Sequence, residues 1–333
     1  MKHEFQPYIL GKGRAGQALQ NAFSILANLE PELGIKPAEF LARGGALPTD
    51  PNALLCLTNP SALHAPQILE ANKKGIQKII TEKPLCADLK EAKNLSEVKS
   101  QIAVLHVYRQ LWGPQTIRKL ITNGEVGDLI TIEGRYWHSS AAEAAIKGKA
   151  AHTSGWKNDP TLCGPYDLLL DVGTHWLDMM CFLMGVFPLK NNVWLSYKNS
   201  EKPHRDTHLH LNSEFATGQH TLGSISKTTH GMSDHFEFQV VGTKKMLSWN
   251  FLNPDEIEVG EGRKKTTMVR LDTEFGSKMP AFRSLGWLEG YIEIARQFIY
   301  EAQEKKFNPY PNLASTLPMM ESLLQSSISS DKK

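Results

Sequence analysis

Paired cysteines are missing from this chain. Its 333 residues hold four, Cys56, Cys86, Cys163 and Cys181, with no CxxC pair among them. That excludes a disulfide-stapled scaffold and a cysteine-based zinc site, and it fits reduced, buried thiols in a cytoplasmic protein. A strong charge of one sign is also missing: 37 Lys and Arg against 35 Asp and Glu leave a net charge of +2. No global electrostatic case therefore exists for a nucleic-acid partner or an anionic membrane surface. The longest apolar stretch, 162–189, is interrupted by Asp167, Asp171, His175 and Asp178, which argues against a bilayer span. Met1-Lys2-His3-Glu4-Phe5 leads almost directly into a strand pattern, with no apolar signal core. Internal repeats and low-complexity blocks are absent, and His204, His208 and His210 have no acids at metal-ligand spacing, so no metal site is expected.

What remains is an ordinary globular composition, 41% hydrophobic and 22% charged, on a chain long enough for two domains. Residues 7–110 alternate short apolar runs with helical patterns. Strands are predicted at 8–10, 39–42, 53–57, 76–81 and 102–107, with helices over 15–29, 61–74 and from the Asp88 cap, where Glu91 completes a capping box. Apolar strands separated by helices predict an α/β unit with a parallel sheet covered on both faces. The remainder reads as α+β, with a large, mainly antiparallel sheet. Its strands are predicted at 129–137, 193–197, 213–226, 235–241, 246–250, 256–259 and 266–271. Helices are predicted at 285–305 and 313–325, and the polar tail beyond is expected to fray. The boundary is placed near Trp112-Gly113-Pro114, giving a dinucleotide-binding domain over 1–112 and a second domain over 113–333.

Gly11-Lys12-Gly13-Arg14-Ala15-Gly16 follows the first strand and opens the first helix. In that context the first glycine makes the turn, the second admits a pyrophosphate and the third lets helix and strand pack closely. The helix N-terminus with Arg14 and Ala15 then faces the phosphates. An acid usually closes the second strand to hold the ribose hydroxyls of NAD. Here Leu41-Ala42 runs into Arg43. A guanidinium there suits a 2′-phosphate, so NADP is expected over NAD, although the unit between Leu29 and Ala53 is short. Three more polar clusters fall at strand ends, where open α/β sheets bind ligands: Thr58-Asn59-Pro60 with His64 a turn later, Glu82-Lys83-Pro84, and Arg109. Lys83 as a solvated surface ammonium, His64 as a capping histidine and Arg109 as a domain-interface ion pair are the plain alternatives.

Pro165 to Gly185 is apolar with one polar stripe. Read as a continuous helix, it puts Asp167, Asp171, Thr174, His175 and Asp178 on one side. Asp171 and His175, four apart in an apolar setting, suit proton transfer; a satisfied core histidine is the alternative.

Together these pieces resemble the glucose–fructose oxidoreductase/inositol dehydrogenase (Gfo/Idh/MocA) family. The motifs are the glycines at 11–16, Thr-Asn-Pro at 58–60, Glu-Lys-Pro at 82–84, Gly-Glu-Val-Gly at 124–127, Trp156, Asp-x-Gly-x-His-x-x-Asp at 171–178 and Val-Gly-Thr-Lys at 241–244. The resemblance implies a Rossmann domain followed by a domain with a large open sheet, through which such proteins form dimers or tetramers. It implies an NAD(P)-dependent oxidoreductase of a sugar, polyol or related small molecule. Lys83, Asp171 and His175 would be catalytic and, with Trp156, would touch substrate. A cis Lys83–Pro84 bond is expected from the same source. The chain departs from the pattern at Cys163-Gly164-Pro165, at Lys157 where an arginine is usual, and in the missing second-strand acid. Two other readings stand beside this one: a sensing or regulatory protein on the same fold, and a lyase or hydrolase using tightly bound NAD.

Overall fold

The structure, a computed structural model, describes residues 4–148, 155–197, 205–271 and 285–331. Along the chain run β1 (Gln6–Leu10), α1 (Arg14–Leu29), β2 (Glu39–Phe40), β3 (Ala53–Leu57), α2 (His64–Lys73), β4 (Lys78–Thr81), α3 (Leu89–Leu95) and β5 (Gln101–Val104). They are followed by α4 (Trp112–Thr122), β6 (Leu129–Trp137), α5 (Ser140–Ile146), α6 (Pro160–Cys163), α7 (Thr174–Met184), β7 (Pro188–Ser196), β8 (His208–Phe215), β9 (His220–Ser226), β10 (His235–Gly242), β11 (Met246–Asn250), β12 (Glu256–Glu261) and β13 (Lys264–Val269). α8 (Trp287–Ala302), α9 (Leu313–Leu324) and β14 (Ser327–Ser330) close the chain. No helix among the described residues is long and apolar enough to cross a membrane.

The chain forms two compact units, Met1–Gln110 with Leu285–Met320, and Leu111–Ser284 with Glu321–Lys333. The first is built on a parallel sheet ordered β2-β1-β3-β4-β5. β3 is buried at every residue, as its unbroken apolar run requires of a strand covered on both faces. α1 buries Leu19, Ala22, Phe23 and Leu26 and packs on α8. Gly290 brings α8 close to the turn after β5: a Cβ there would lie 2.4 Å from the Val107 carbonyl oxygen. The expected boundary at 112 falls two residues from the observed Gln110, but α8 and most of α9 belong to the first unit and not to the second. The helical periodicity of 285–305 shows that the segment has an apolar face; it does not show which core receives that face.

The second unit is a nine-stranded sheet ordered β13-β12-β11-β10-β6-β9-β8-β7-β14. Its neighbours are antiparallel except for the parallel pairs β6–β9 and β14–β7. α7 lies close to the sheet because β9 offers Gly223 beneath Trp176; a Cβ there would come within 2.5 Å of the indole. Three expectations need correction. The segment 213–226 is two strands, split by a turn in which Gly218 takes φ 84°. Residues 39–42 shorten to the two-residue β2, with no helix before β3. The described part of the tail, to Asp331, is ordered: β14 pairs with β7, and Asp331 accepts from Ser196 Oγ at 2.6 Å and from the Tyr197 N–H at 2.9 Å.

Candidate active site

In the first unit the candidate site begins where β1 turns into α1. Gly11 has φ 124°, and a Cβ on it would sit 2.5 Å from the Thr58 carbonyl oxygen. A Cβ on Gly16 would sit 2.0 Å from the Gly11 carbonyl oxygen. On Gly13 it would meet nothing within 4 Å. The three glycines thus differ as a dinucleotide cradle requires: two are forced by close packing and one faces open space. Gly13 caps α1 without any side-chain hydrogen bond, and the first turn carries no acid. Among the described residues, nothing acidic in that turn opposes an anion at the amide end of this 16-residue helix.

The strand ends beside it are tied together. Thr58 Oγ1 donates to the Gly11 carbonyl at 3.0 Å. Asn59 donates to Gln67 at 2.8 Å. The Lys83–Pro84 bond is cis. His64 is buried, with Nδ1 2.8 Å from the Pro84 carbonyl and Nε2 3.0 Å from that of Asn59. Both ring nitrogens therefore face main chain, and its part is to brace the two loops that carry Thr58-Asn59-Pro60 and Glu82-Lys83-Pro84. Burial lowers its basicity below the ordinary histidine value. Glu82 accepts from the Lys83 N–H at 3.1 Å and from the hydroxyl of Tyr291 on α8. Burial and the Glu82 carboxylate push the Tyr291 phenol well up. Arg109 is buried and donates to Ser315 at 2.9 Å, a contact inside the first unit. Arg43 and Arg14 are exposed, and Ala15 is half-buried.

In the second unit the run from Pro165 is not one regular helix. Leu169–Gly173 forms a π-helical turn, and α7 starts at Thr174. The wider turn resets the register between the Asp167/Asp171 pair and the His175/Asp178 pair, so the single stripe read from α-helical spacing is corrected to two segments. Gly185 ends α7 in the left-handed conformation, as a C-terminal glycine does.

Asp171 sits in a charge network that the sequence did not reveal. Its Oδ2 is 2.7 Å from Lys157 Nζ and 3.3 Å from Lys227 Nζ. Lys227, 1% exposed, also holds Asp167 at 2.6 Å. Asp206 accepts from the N–H groups of Asp167 (2.5 Å) and Leu169 (2.8 Å), fixing the start of the run. Burial alone would lower the Lys227 ammonium; Asp167 and Asp171 outweigh it and hold the group above its ordinary value. Burial and the Asp167 charge raise the Asp206 carboxyl. Trp156 is half-buried, with Lys157 Nζ 5.7 Å from its ring centre. His175 is buried, its ring 6.3 Å from that of Tyr136 on β6. Lys227 and Asp206 carry no motif; their only sequence trace is a charged residue at the margin of an apolar strand.

The described residues hold no group of three or more His, Cys, Asp or Glu arranged for a metal ion. His208 and His210 share a strand face with Nε2 atoms 3.3 Å apart, and His204 lies outside the described residues. Cys56, Cys86, Cys163 and Cys181 are free thiols, all buried.

Residues 115–248 match the GFO/IDH/MocA C-terminal domain. Among curated proteins the chain is 24% identical over 272 residues to levoglucosan dehydrogenase of Pseudarthrobacter phenanthrenivorans, covering 71% of this chain and 66% of that one. It is 28% identical over 262 residues to the uncharacterized oxidoreductase YfiI of Bacillus subtilis, covering 74% and 65%. The matched stretch thus spans just under two thirds of these relatives' own length. Among solved structures, levoglucosan dehydrogenase in complex with NADH and levoglucosan superposes with a TM-score of 0.79 at 20% identity, covering 97% of this chain and 98% of that one. An inositol dehydrogenase homolog from Azotobacter vinelandii complexed with NAD+ gives 0.77 at 19%, covering 98% and 95%. These likenesses show that the chain has the same two-part fold as those proteins.

Proposed function

We propose that this chain is a nicotinamide-dependent oxidoreductase acting on a sugar or polyol. The observation that carries the reading is the open position at Gly13 beside the uncapped N-terminus of α1, framed by two glycines that close packing enforces. Gly11, Gly13, Arg14, Ala15 and Gly16 would hold the pyrophosphate, with Thr58, Asn59, Pro60 and Glu82 bordering the dinucleotide, and His64 and Arg109 bracing that border. Bound there, the dinucleotide supplies a hydride acceptor or donor at the nicotinamide ring. In the oxidation direction His175 removes the hydroxyl proton of the substrate, and in reduction it returns it. The Lys83 ammonium, on the first unit, is the donor that would stabilise negative charge on a substrate oxygen. Asp171 accepts from a neighbouring substrate hydroxyl, and Trp156 covers an apolar sugar face. Positioned proton transfer of this kind contributes about 10²–10⁴-fold.

Exposed Arg43 and the missing acid after β2 support NADP; the NADH and NAD+ bound in the two solved relatives support NAD. Titration with NADH and NADPH, followed by nicotinamide fluorescence after any co-purified cofactor is removed, separates them. Preference for NADPH that Arg43→Ala abolishes supports the phosphate role, and equal loss of both cofactors sinks it. Turnover is then sought with a panel of sugars and polyols. The absence of a helix between β2 and β3 favours a second reading, a binding protein without turnover. Binding of neither cofactor would bring that reading forward. Trp194 and Leu222, 40% and 45% exposed on one face of the nine-stranded sheet, support assembly into a dimer or tetramer, measurable by light scattering.

A further inference from the structure

The strongest unexplained feature of the second unit is a lysine ammonium enclosed in protein. Lys227 follows β9 and is pinned by its own main chain: its N–H donates to Thr207 at 2.9 Å, and its carbonyl accepts from Ala141 at 2.9 Å. Its side chain is 1% exposed. Dehydrating a charge this completely is unfavourable unless opposite charge surrounds it, and two carboxylates do: Asp167 at 2.6 Å and Asp171 at 3.3 Å. The two differ in access. The Asp167 side chain is 3% exposed, whereas that of Asp171 is 23% exposed. Asp167 is thus the inner anchor and Asp171 the end that a solute reaches.

We propose that Lys227 is a positioning residue: its enclosed ammonium fixes Asp171 as an oriented carboxylate, which confines Asp171 to accepting hydrogen bonds and leaves proton transfer to His175. The role assigned to His175 rests on the oxidoreductase reading above. The state of Asp171 does not.

Three features support the assignment. First, among the described residues the groups facing Asp171 include two ammoniums, Lys227 beyond β9 and Lys157 on the turn 155–158, with the carboxylates of Asp167 and Asp206 behind them. Both ammoniums address the same oxygen, Oδ2, so the carboxylate is held in one orientation. Second, Asp206 grips the N–H groups of Asp167 and Leu169, which anchors the π-helical turn bearing Asp171. The anchor and the ammonium therefore fix one turn from opposite ends. Third, the wide turn separates Asp171 from His175 in register, while His175 packs beside Tyr136. The two groups thus occupy different surroundings, one a network of charges and one aromatic, as two different chemical tasks require.

The test uses the full chain with aspartate labelled at Cγ with ¹³C. Asp171 is assigned through Asp171→Asn, and its carboxyl shift is followed by NMR against pH without substrate or cofactor. In the wild type the Asp171 midpoint falls below the ordinary aspartate value of about 3.9. In Lys227→Met/Asp167→Asn, which removes one positive and one negative group together and leaves no orphaned charge between them, it rises by about 1–3 pH units. Asp167→Asn alone leaves Lys227 in place, and the midpoint stays at or below that of the wild type. A general loosening of the fold would move both variants alike. A wild-type midpoint at or above about 3.9 overturns the proposal without any variant, as does an unchanged midpoint in the double variant. With a substrate in hand, the double variant also gains a second ionisation on the acid limb of its kcat/KM profile. If no turnover is found in the wild type, the oxidoreductase reading fails and the carboxyl titration still decides the role of Lys227.

Discussion

In the first unit the candidate cradle is main chain and missing side chain: three glycines, a helix N-terminus and loops braced by His64. In the second unit the candidate chemistry is charge, gathered by side chains from four separate segments, at Lys157, Asp167 and Asp171, Asp206, and Lys227. The first kind of site depends on a few consecutive residues and tolerates no added atoms. The second depends on which distant strands meet, and tolerates no lost partner. Each is therefore broken by the opposite kind of substitution.

The largest expected effect is on chemistry. His175→Ala is expected to lower kcat by about 10²–10⁴ while leaving the Kd for NADH or NADPH within a few-fold, because the role proposed for it is in the proton transfer and not in the cradle. Unchanged kcat would remove the proton-transfer role. Next comes stability in the charged network. Lys227→Met leaves Asp167 buried without its ammonium and destabilises by about 3–5 kcal/mol, read from urea unfolding. Adding Asp167→Asn restores much of that loss, since the orphaned charge is gone. The glycines give a smaller and opposite contrast. Gly16→Ala places a Cβ 2.0 Å from the Gly11 carbonyl oxygen and destabilises by about 1–3 kcal/mol. Gly13→Ala has open space and changes stability by no more than about 0.5 kcal/mol, yet it weakens dinucleotide binding.

The remaining effect is a pH dependence of the first unit. Burial lowers His64 and His106 below the ordinary 6.5, for His106 with help from the Arg109 and Lys83 charges. The unfolded chain thus takes up protons before the folded one does. Stability is whole above 6.5 and falls as pH drops below it toward the folded values. The slope is at most about 1.4 kcal/mol per pH unit for each histidine. His106→Phe should flatten it in urea midpoints measured across that window, and an identical slope would exclude His106 as a contributor.

Much of the first unit was legible because its signals are local. The strand 53–57 is an unbroken apolar run, Asp88 with Glu91 announces a helix start, and glycine spacing announces the turn. Asp88 does accept from the Glu91 N–H at 2.8 Å. What escaped was long-range. The placement of α8 depends on Gly290 meeting Val107, and the ordering of the tail depends on Asp331 meeting Ser196. The stripe through Asp171 and His175 was visible in the sequence, but a π-helical turn has no spacing signature of its own, so its register was not.

By itself the sequence determined the parallel α/β unit, the glycine cradle, the strand-rich second unit and the presence of Asp171, His175 and Lys83, because periodicity, turn chemistry and motif order are properties of neighbouring residues. Only the tertiary structure decided that Lys227, beyond the end of β9, would be enclosed beside Asp167 and Asp171. A lysine in sequence is a solvated cation by default, and only strands packed around it can exclude the water and supply the opposing charge.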